Sequence, residues 1–128
     1  MPVQLTEMGA ESIFLDNVPE VFHSLQWYSA EGTRVPVGAK VLATSPDCAV
    51  QAMSWGPRAL SMQFHLEVEA DTVENWAAIS AYRDVLYGAF GPGGADCLTA
   101  DCAARMAEFN TVAERVCFNW PHANAQAR

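Results

Sequence analysis

His65 and Glu67 are the residues of this sequence whose types and spacing could carry acid–base chemistry. They follow the apolar run "ALSMQF", which is typical of a strand, and a helix-like pattern begins a few residues later. Side chains two positions apart in an extended chain point to the same side. A carboxylate there can hydrogen-bond one imidazole nitrogen and leave the other as a base. The pattern alone leaves open a second interpretation, a histidine satisfied at a strand end beside an exposed glutamate.

The other histidines and the cysteines offer weaker candidates. His23 precedes a strand-like run and His122 lies near the C-terminus, so surface or packing roles are predicted for both. Cys97 and Cys102 have the spacing C-x4-C with no second ligand pair, which does not fit a zinc site. No P-loop or dinucleotide fingerprint occurs. We therefore predict no metal and no cofactor, and we expect Cys117 on the buried face of a helix.

The elements that would position His65 are short strands. Residues 1–68 are rich in β-branched and aromatic residues in alternating patterns. The run "KVLAT" stops at Ser45-Pro46, "AVQAMSWG" alternates, and Gly56-Pro57 makes a turn before "ALSMQFH". These features predict a strand, a hairpin and a further strand, with antiparallel neighbours.

The period changes to helical after His65. An apolar stripe extends from Val73 to Leu86, and a Gly/Pro loop, "GAFGPGGAD", ends this first helix. A second helix follows, and Pro121 is expected to stop it. The predicted architecture is α+β: one domain over residues 1–120, strand-rich over 1–68 and helical over 70–120, with a flexible tail at 121–128.

Composition narrows the function classes. The chain has 128 residues, of which 51% are hydrophobic and 17% charged, as expected for one globular domain. Its net charge of -8 disfavours nucleic acid and anionic membranes as partners. No apolar run approaches the roughly 20 residues that span a bilayer. The start, "MPVQLTEMG", does not resemble a signal peptide, so we expect a cytoplasmic protein.

Several segments in order resemble the C-terminal half of a class I glutamine amidotransferase domain. The residues that carry the resemblance are P-x-G-A at Pro36, "LATSPDCAVQA" and "RALSMQFHLE", within a match that runs from about Val3 to Trp76. In that family a strand ends in Q-F-H-x-E, and its His and Glu complete a Cys-His-Glu triad. The resemblance therefore implies a partial α/β fold, with His65 and Glu67 as members of a triad.

The sequence departs from the family in two places. The family's nucleophile sits in a G-x-C-x-G elbow upstream of the Q-F-H-x-E strand, and no such elbow occurs in this chain. Relatives often have Q-W-H-S where this chain has "QWYS", so Tyr28 stands in place of a histidine. The resemblance implies a substrate contact at Ser29, next to this substitution. Without a thiol nucleophile, the glutamyl thioester of the family mechanism cannot form.

Three functional hypotheses follow. The first is a non-catalytic amidotransferase-like protein that self-associates, as a dimer, because a half domain exposes a sheet edge. The second is one half of a split glutaminase, completed by a separate chain that supplies the cysteine; His65 would then be its acid and base, and Glu67 would orient it. The third is a module that binds a small molecule or a protein in the remnant cleft.

Overall fold

The computed structural model describes residues 1–126. Five strands form one antiparallel sheet in the order β2-β1-β3-β4-β5, so the first strand of the sequence lies inside the sheet. The fold class predicted from the sequence, α+β with a β-meander followed by helices, is confirmed. The elements in chain order are β1 (Pro2–Leu5), α1 (Glu7–Ala10), a 3-10 helix (Ile13–Leu15), β2 (Val21–His23), β3 (Ala39–Ser45), β4 (Cys48–Trp55), β5 (Ala59–Met62), α2 (Thr72–Ala77), α3 (Ser80–Phe90) and α4 (Gly94–Gln126).

Short segments of turn-forming residues connect the three strands of the β3-β4-β5 meander. Pro46 and Asp47 connect β3 to β4, and the segment that starts at Gly56 connects β4 to β5. Gly56 has a φ of 63°, a conformation that glycine adopts without steric cost. Both connections are short, as antiparallel neighbours require.

The residues divide into two compact units, and each is described by itself. The sheet unit comprises Met1–Leu66 together with α4 from Glu108 onward, and the helical unit comprises Glu67–Ala107. The sheet unit contains one apolar cluster to which strands, the 3-10 helix and the end of α4 all contribute. Its buried members are Val3, Leu5, Phe14, Leu15, Val18, Phe22, Leu42, Ala43, Ala52, Phe64, Val112, Val116 and Ala123.

The helices differ from the sequence-based expectation in number. The stripe from Val73 to Leu86, which was expected to form one helix, divides into α2 and α3 at Ala78 and Ile79. Ile79 has extended dihedral angles and offers no side-chain cap to α3. The apolar period continues across this break, which is why the pattern did not reveal it.

The prediction that Pro121 stops the last helix is wrong, because α4 continues through it to Gln126. Proline removes the N–H that would bond the Cys117 carbonyl and crowds that carbonyl with its ring, and the packing of the residues around it offsets this cost. Ala123 is buried in the cluster of the sheet unit. The Trp120 ring lies 5.5 Å from that of Phe14. Residues 121–126 are therefore helical, and 127–128, the rest of the predicted tail, lie outside the described residues.

Cys117 is exposed on α4, so its predicted burial is also wrong. Its neighbour Asn119 is buried instead, and the Asn119 amide donates hydrogen bonds to the carbonyls of Phe14 and Asp16 at 3.2 and 2.8 Å. The buried position thus belongs to Asn119, whose amide is hydrogen-bonded, whereas the apolar pattern predicts burial of Cys117.

None of the helices in the described part of the chain combines the length and apolarity needed to cross a bilayer.

Candidate functional site

His65 lies directly beyond the end of β5, on the segment that continues the sheet. Its N–H donates to the Leu25 carbonyl at 2.9 Å, which makes an isolated antiparallel bridge between these two residues. The preceding residue, Phe64, is buried and packs edge-on against Phe22 with 5.4 Å between ring centroids. Because Phe64 is anchored inward, alternation turns the half-buried His65 side chain the other way.

The His65 imidazole is bound to the backbone of the segment that follows β2. Its Nε2 lies 3.2 Å from the carbonyl oxygen of Trp27. A carbonyl can only accept, so Nε2 carries the hydrogen in this contact, and a neutral ring then has its lone pair on Nδ1. A triad histidine needs one nitrogen for the nucleophile and one for the orienting carboxylate. In this arrangement the Trp27 carbonyl occupies one of those two positions.

The other two predicted site residues lie at the surface. Glu67 is exposed and is the first residue of the helical unit. Ser29 is exposed in the sheet unit, two residues after Trp27 in the segment whose carbonyl contacts His65. The roles of His65, Glu67 and Ser29 in binding or catalysis remain predictions.

Tyr28 belongs to a polar cluster that the sequence patterns did not reveal. The fully buried Gln51 directs its amide nitrogen at three oxygens, those of Gln26 (2.9 Å), Tyr28 (3.0 Å) and Ser45 (2.9 Å). Burial, and then the contact with the Cys48 thiol, raise the pKa of Tyr28 to about 12. Tyr28 is therefore a neutral hydrogen-bonding group near pH 7, unlike the histidine that relatives have there. The signal that could have indicated the cluster is one polar residue inside the alternating run "AVQAM".

The four thiols are all free of disulfide bonds, and they lie in different surroundings. Cys48 is buried at the start of β4, next to Tyr28. Cys102 is buried in the helical unit, and burial raises the pKa of its thiol, which disfavours the thiolate. Cys97 and Cys117 are exposed on α4. Within the described residues no group of three or more His, Cys, Asp or Glu side chains could hold a metal ion.

His23 and His122, the remaining histidines, each contact a residue of the sheet unit. The Glu108 carboxylate lies 3.1 Å from the ring Nδ1 of His23. It also accepts a hydrogen bond from the backbone N–H of His23 at 2.7 Å. This contact joins the edge strand β2 to α4 within the sheet unit. His122 Nδ1 lies 2.8 Å from the Phe118 carbonyl one turn earlier in the helix. Both contacts fit the packing and surface roles expected of these residues.

Comparison with known proteins relates this fold to glutamine amidotransferases. No family model and no curated protein matches the sequence. Among solved structures, a glutamine amidotransferase from Thermotoga maritima matches with a TM-score of 0.70 and 23% identity, over 90% of this chain and 46% of that chain. A glutamine amidotransferase from Methylobacillus flagellatus matches with a TM-score of 0.74 and 22% identity, over 95% of this chain and 50% of that one. The chain thus has the fold of a glutamine amidotransferase over about half the length of these structures.

Proposed function

We propose that this polypeptide is an amidotransferase-like half domain that does not hydrolyse glutamine by itself and that associates with a second copy of itself. The observation that carries the first part is the contact between His65 Nε2 and the Trp27 carbonyl. A triad histidine needs one ring nitrogen for the nucleophile and the other for the carboxylate, and the Trp27 carbonyl occupies one of the two. The sequence also lacks the G-x-C-x-G elbow that presents a thiol in the family it resembles.

The second part rests on α3, whose apolar side chains lie at the surface. Leu86 is the single buried residue of this helix, at 5% exposure, whereas Tyr82, Val85 and Phe90 are 47%, 43% and 58% exposed. Tyr82 and Val85 are three residues apart and therefore lie on one face. Exposed apolar groups of this size on neighbouring turns are typical of a protein interface.

Charge favours a second copy as the partner of α3. The chain carries 15 acidic and 7 basic residues, so two copies repel each other over most of their surface. Residues 75–95 contain only Arg83 and Asp84 as charged residues, and these lie 3.9 Å apart on the helix. Two copies that meet at α3 therefore bring together surfaces of zero net charge. A basic partner would instead be attracted to the acidic remainder of the chain.

Two measurements on the purified chain test the proposal. We expect no ammonia release from glutamine above the buffer control. Light scattering after size exclusion, at about 50 µM, should give about twice the 13.9 kDa of one chain. A rate that disappears in His65→Ala would contradict the catalytic part, and a 13.9 kDa species at this concentration would contradict the association.

A matched pair of variants locates the contact. Val85→Asp should raise the dissociation constant of the dimer at least tenfold, because it places like charges opposite each other in an apolar contact. Val37→Asp adds the same charge at a loop position that is 99% exposed and should leave association unchanged. Screening by salt should strengthen the wild-type dimer, since the repulsion it overcomes is electrostatic. If both variants dimerise alike, the contact lies elsewhere, for example at the edge strand β5.

A split glutaminase is the second candidate, and retention of the Q-F-H-x-E motif at the end of a strand favours it. The probe is the part of the Thermotoga maritima amidotransferase that this chain does not match, co-expressed with this chain. Ammonia release that requires both chains and is lost in His65→Ala would establish this function instead. The ring of His65 would then have to leave the Trp27 carbonyl when the second chain binds.

A further inference from the structure

An open cavity of about 480 Å³ lies in the sheet unit, away from His65. It is bordered by the residues around α1 and the 3-10 helix on one side and by the β3-β4 hairpin on the other. Gly38 precedes β3 and Gly56 follows β4, and the cavity lies at this end of the two strands. His65 follows β5 and lies toward the opposite end of β4, beyond Gln51. The cavity is therefore a separate site from the triad remnant.

The wall of the cavity is mainly apolar. Ile13, Phe14 and Leu42 line it together with Met8 and Pro57. Phe14 and Leu42 also belong to the buried cluster of the sheet unit, so this part of the wall is fixed by packing. A volume of this size suits a small organic molecule, and an apolar wall favours one with a hydrocarbon side chain.

Two side chains of opposite charge border the same cavity. They are Lys40, on β3, and Glu11, at the end of α1. Both residues are exposed, so their charged groups stand in solvent at the border of the cavity. A simple anion would be repelled by Glu11 and a simple cation by Lys40. A ligand that carries charges of both signs can be attracted by both groups.

We propose that this cavity binds a free α-amino acid with an apolar side chain. Lys40 contacts the ligand carboxylate, Glu11 contacts its ammonium group, and the hydrocarbon side chain packs on Phe14 and Leu42. The proposal is independent of self-association and of glutaminase activity, since none of the lining residues belongs to α3 or to the His65 segment. The proposed binding site lies in a part of the sheet unit that does not include His65.

Isothermal titration and ligand-detected NMR with three related compounds test the proposal. L-leucine should bind, whereas L-leucinamide, which lacks the carboxylate, and N-acetyl-L-leucine, which lacks the ammonium group, should bind at least tenfold more weakly. Equal binding of all three compounds would show a purely apolar site and would overturn the proposal. No leucine signal up to about 10 mM would overturn it as well.

Charge-removing variants assign each contact. Lys40→Met should weaken leucine binding at least tenfold and abolish the preference for leucine over leucinamide. Glu11→Gln should do the same for the preference over N-acetyl-leucine. Arg34→Met and Glu20→Gln change exposed charges that do not line the cavity, and leucine affinity should stay at the wild-type value in both. Variants that bind weakly but keep both preferences would contradict the assigned contacts, and thermal melts check that each variant is folded.

Discussion

The sheet unit and the helical unit use apolar residues in opposite ways. In the sheet unit, thirteen buried apolar residues from strands and helices form one continuous cluster. In the helical unit, most residues of α3 are apolar, yet Leu86 is its one buried residue. Hydrophobic composition alone would give both regions the same role. The sheet unit buries its apolar residues in its own packing, whereas those of α3 lie at the surface, where we propose the contact with a second copy.

The largest effect should distinguish a core aromatic residue from an exposed one. Phe22→Ala empties a position at the centre of the sheet unit and should lower the free energy of unfolding by about 3–5 kcal/mol. Tyr87→Ala removes an exposed ring from α3 and should change it by less than about 0.5 kcal/mol in the monomer. Urea denaturation followed by circular dichroism measures both. An equal loss of unfolding free energy in the two variants would contradict the difference in packing between the two units.

Alanine substitutions at two glycines should change the stability of the chain in opposite directions. A Cβ at Gly9, on α1, would collide with the backbone carbonyl of Leu42. Gly9→Ala should therefore cost about 1–3 kcal/mol of stability, because α1 must move off β3. A Cβ at Gly88, inside α3, meets no atom within 4 Å, so Gly88→Ala should stabilise the helix by about 0.5–1 kcal/mol. Thermal melts should show shifts in opposite directions, and a stabilising Gly9→Ala would contradict the close approach of α1 to β3.

Tyr28 gives the sheet unit a pH dependence that appears only in alkaline solution. Tyr28 has a folded-state pKa of about 12, above its unfolded value of 10.0. Above pH 10 the unfolded chain therefore loses this proton first, and stability falls as pH rises from about 10 to 12. Below pH 10 the Tyr28 contribution is fully present. The difference in denaturation midpoint between wild type and Tyr28→Phe should shrink over this interval, and a constant difference would show that Tyr28 titrates alike in both states.

The sequence was most informative where local patterns decide structure. Alternation and the Pro/Gly turns were sufficient to predict the β3-β4-β5 meander, because its strands are joined by short connections. The position of β1 could not be predicted, since it depends on pairing of Gln4 and Leu5 with Thr44 and Ala43, far along the chain. Pro121 misled the prediction because tertiary packing outweighs the local preference of proline to end a helix.

At the candidate site, residue types could be predicted but their surroundings could not. The spacing of His65 and Glu67 suggested a pair, yet no pattern encodes the Trp27 carbonyl that binds the imidazole. The cluster around Gln51 was missed for the same reason, since its acceptors come from two segments, Gln26 and Tyr28 after β2 and Ser45 at the end of β3. Backbone carbonyls and long-range polar contacts depend on the assembled fold, and a single sequence records neither.

The interior position of β1 also dictates an order of events during folding. The β3-β4 hairpin closes a short loop, whereas β1 completes both of its pairings only after β2 and the more distant β3 have been synthesised. The first strand to be synthesised is thus among the last to be placed, and until then the nascent chain leaves the flank of β3 open to any other extended segment.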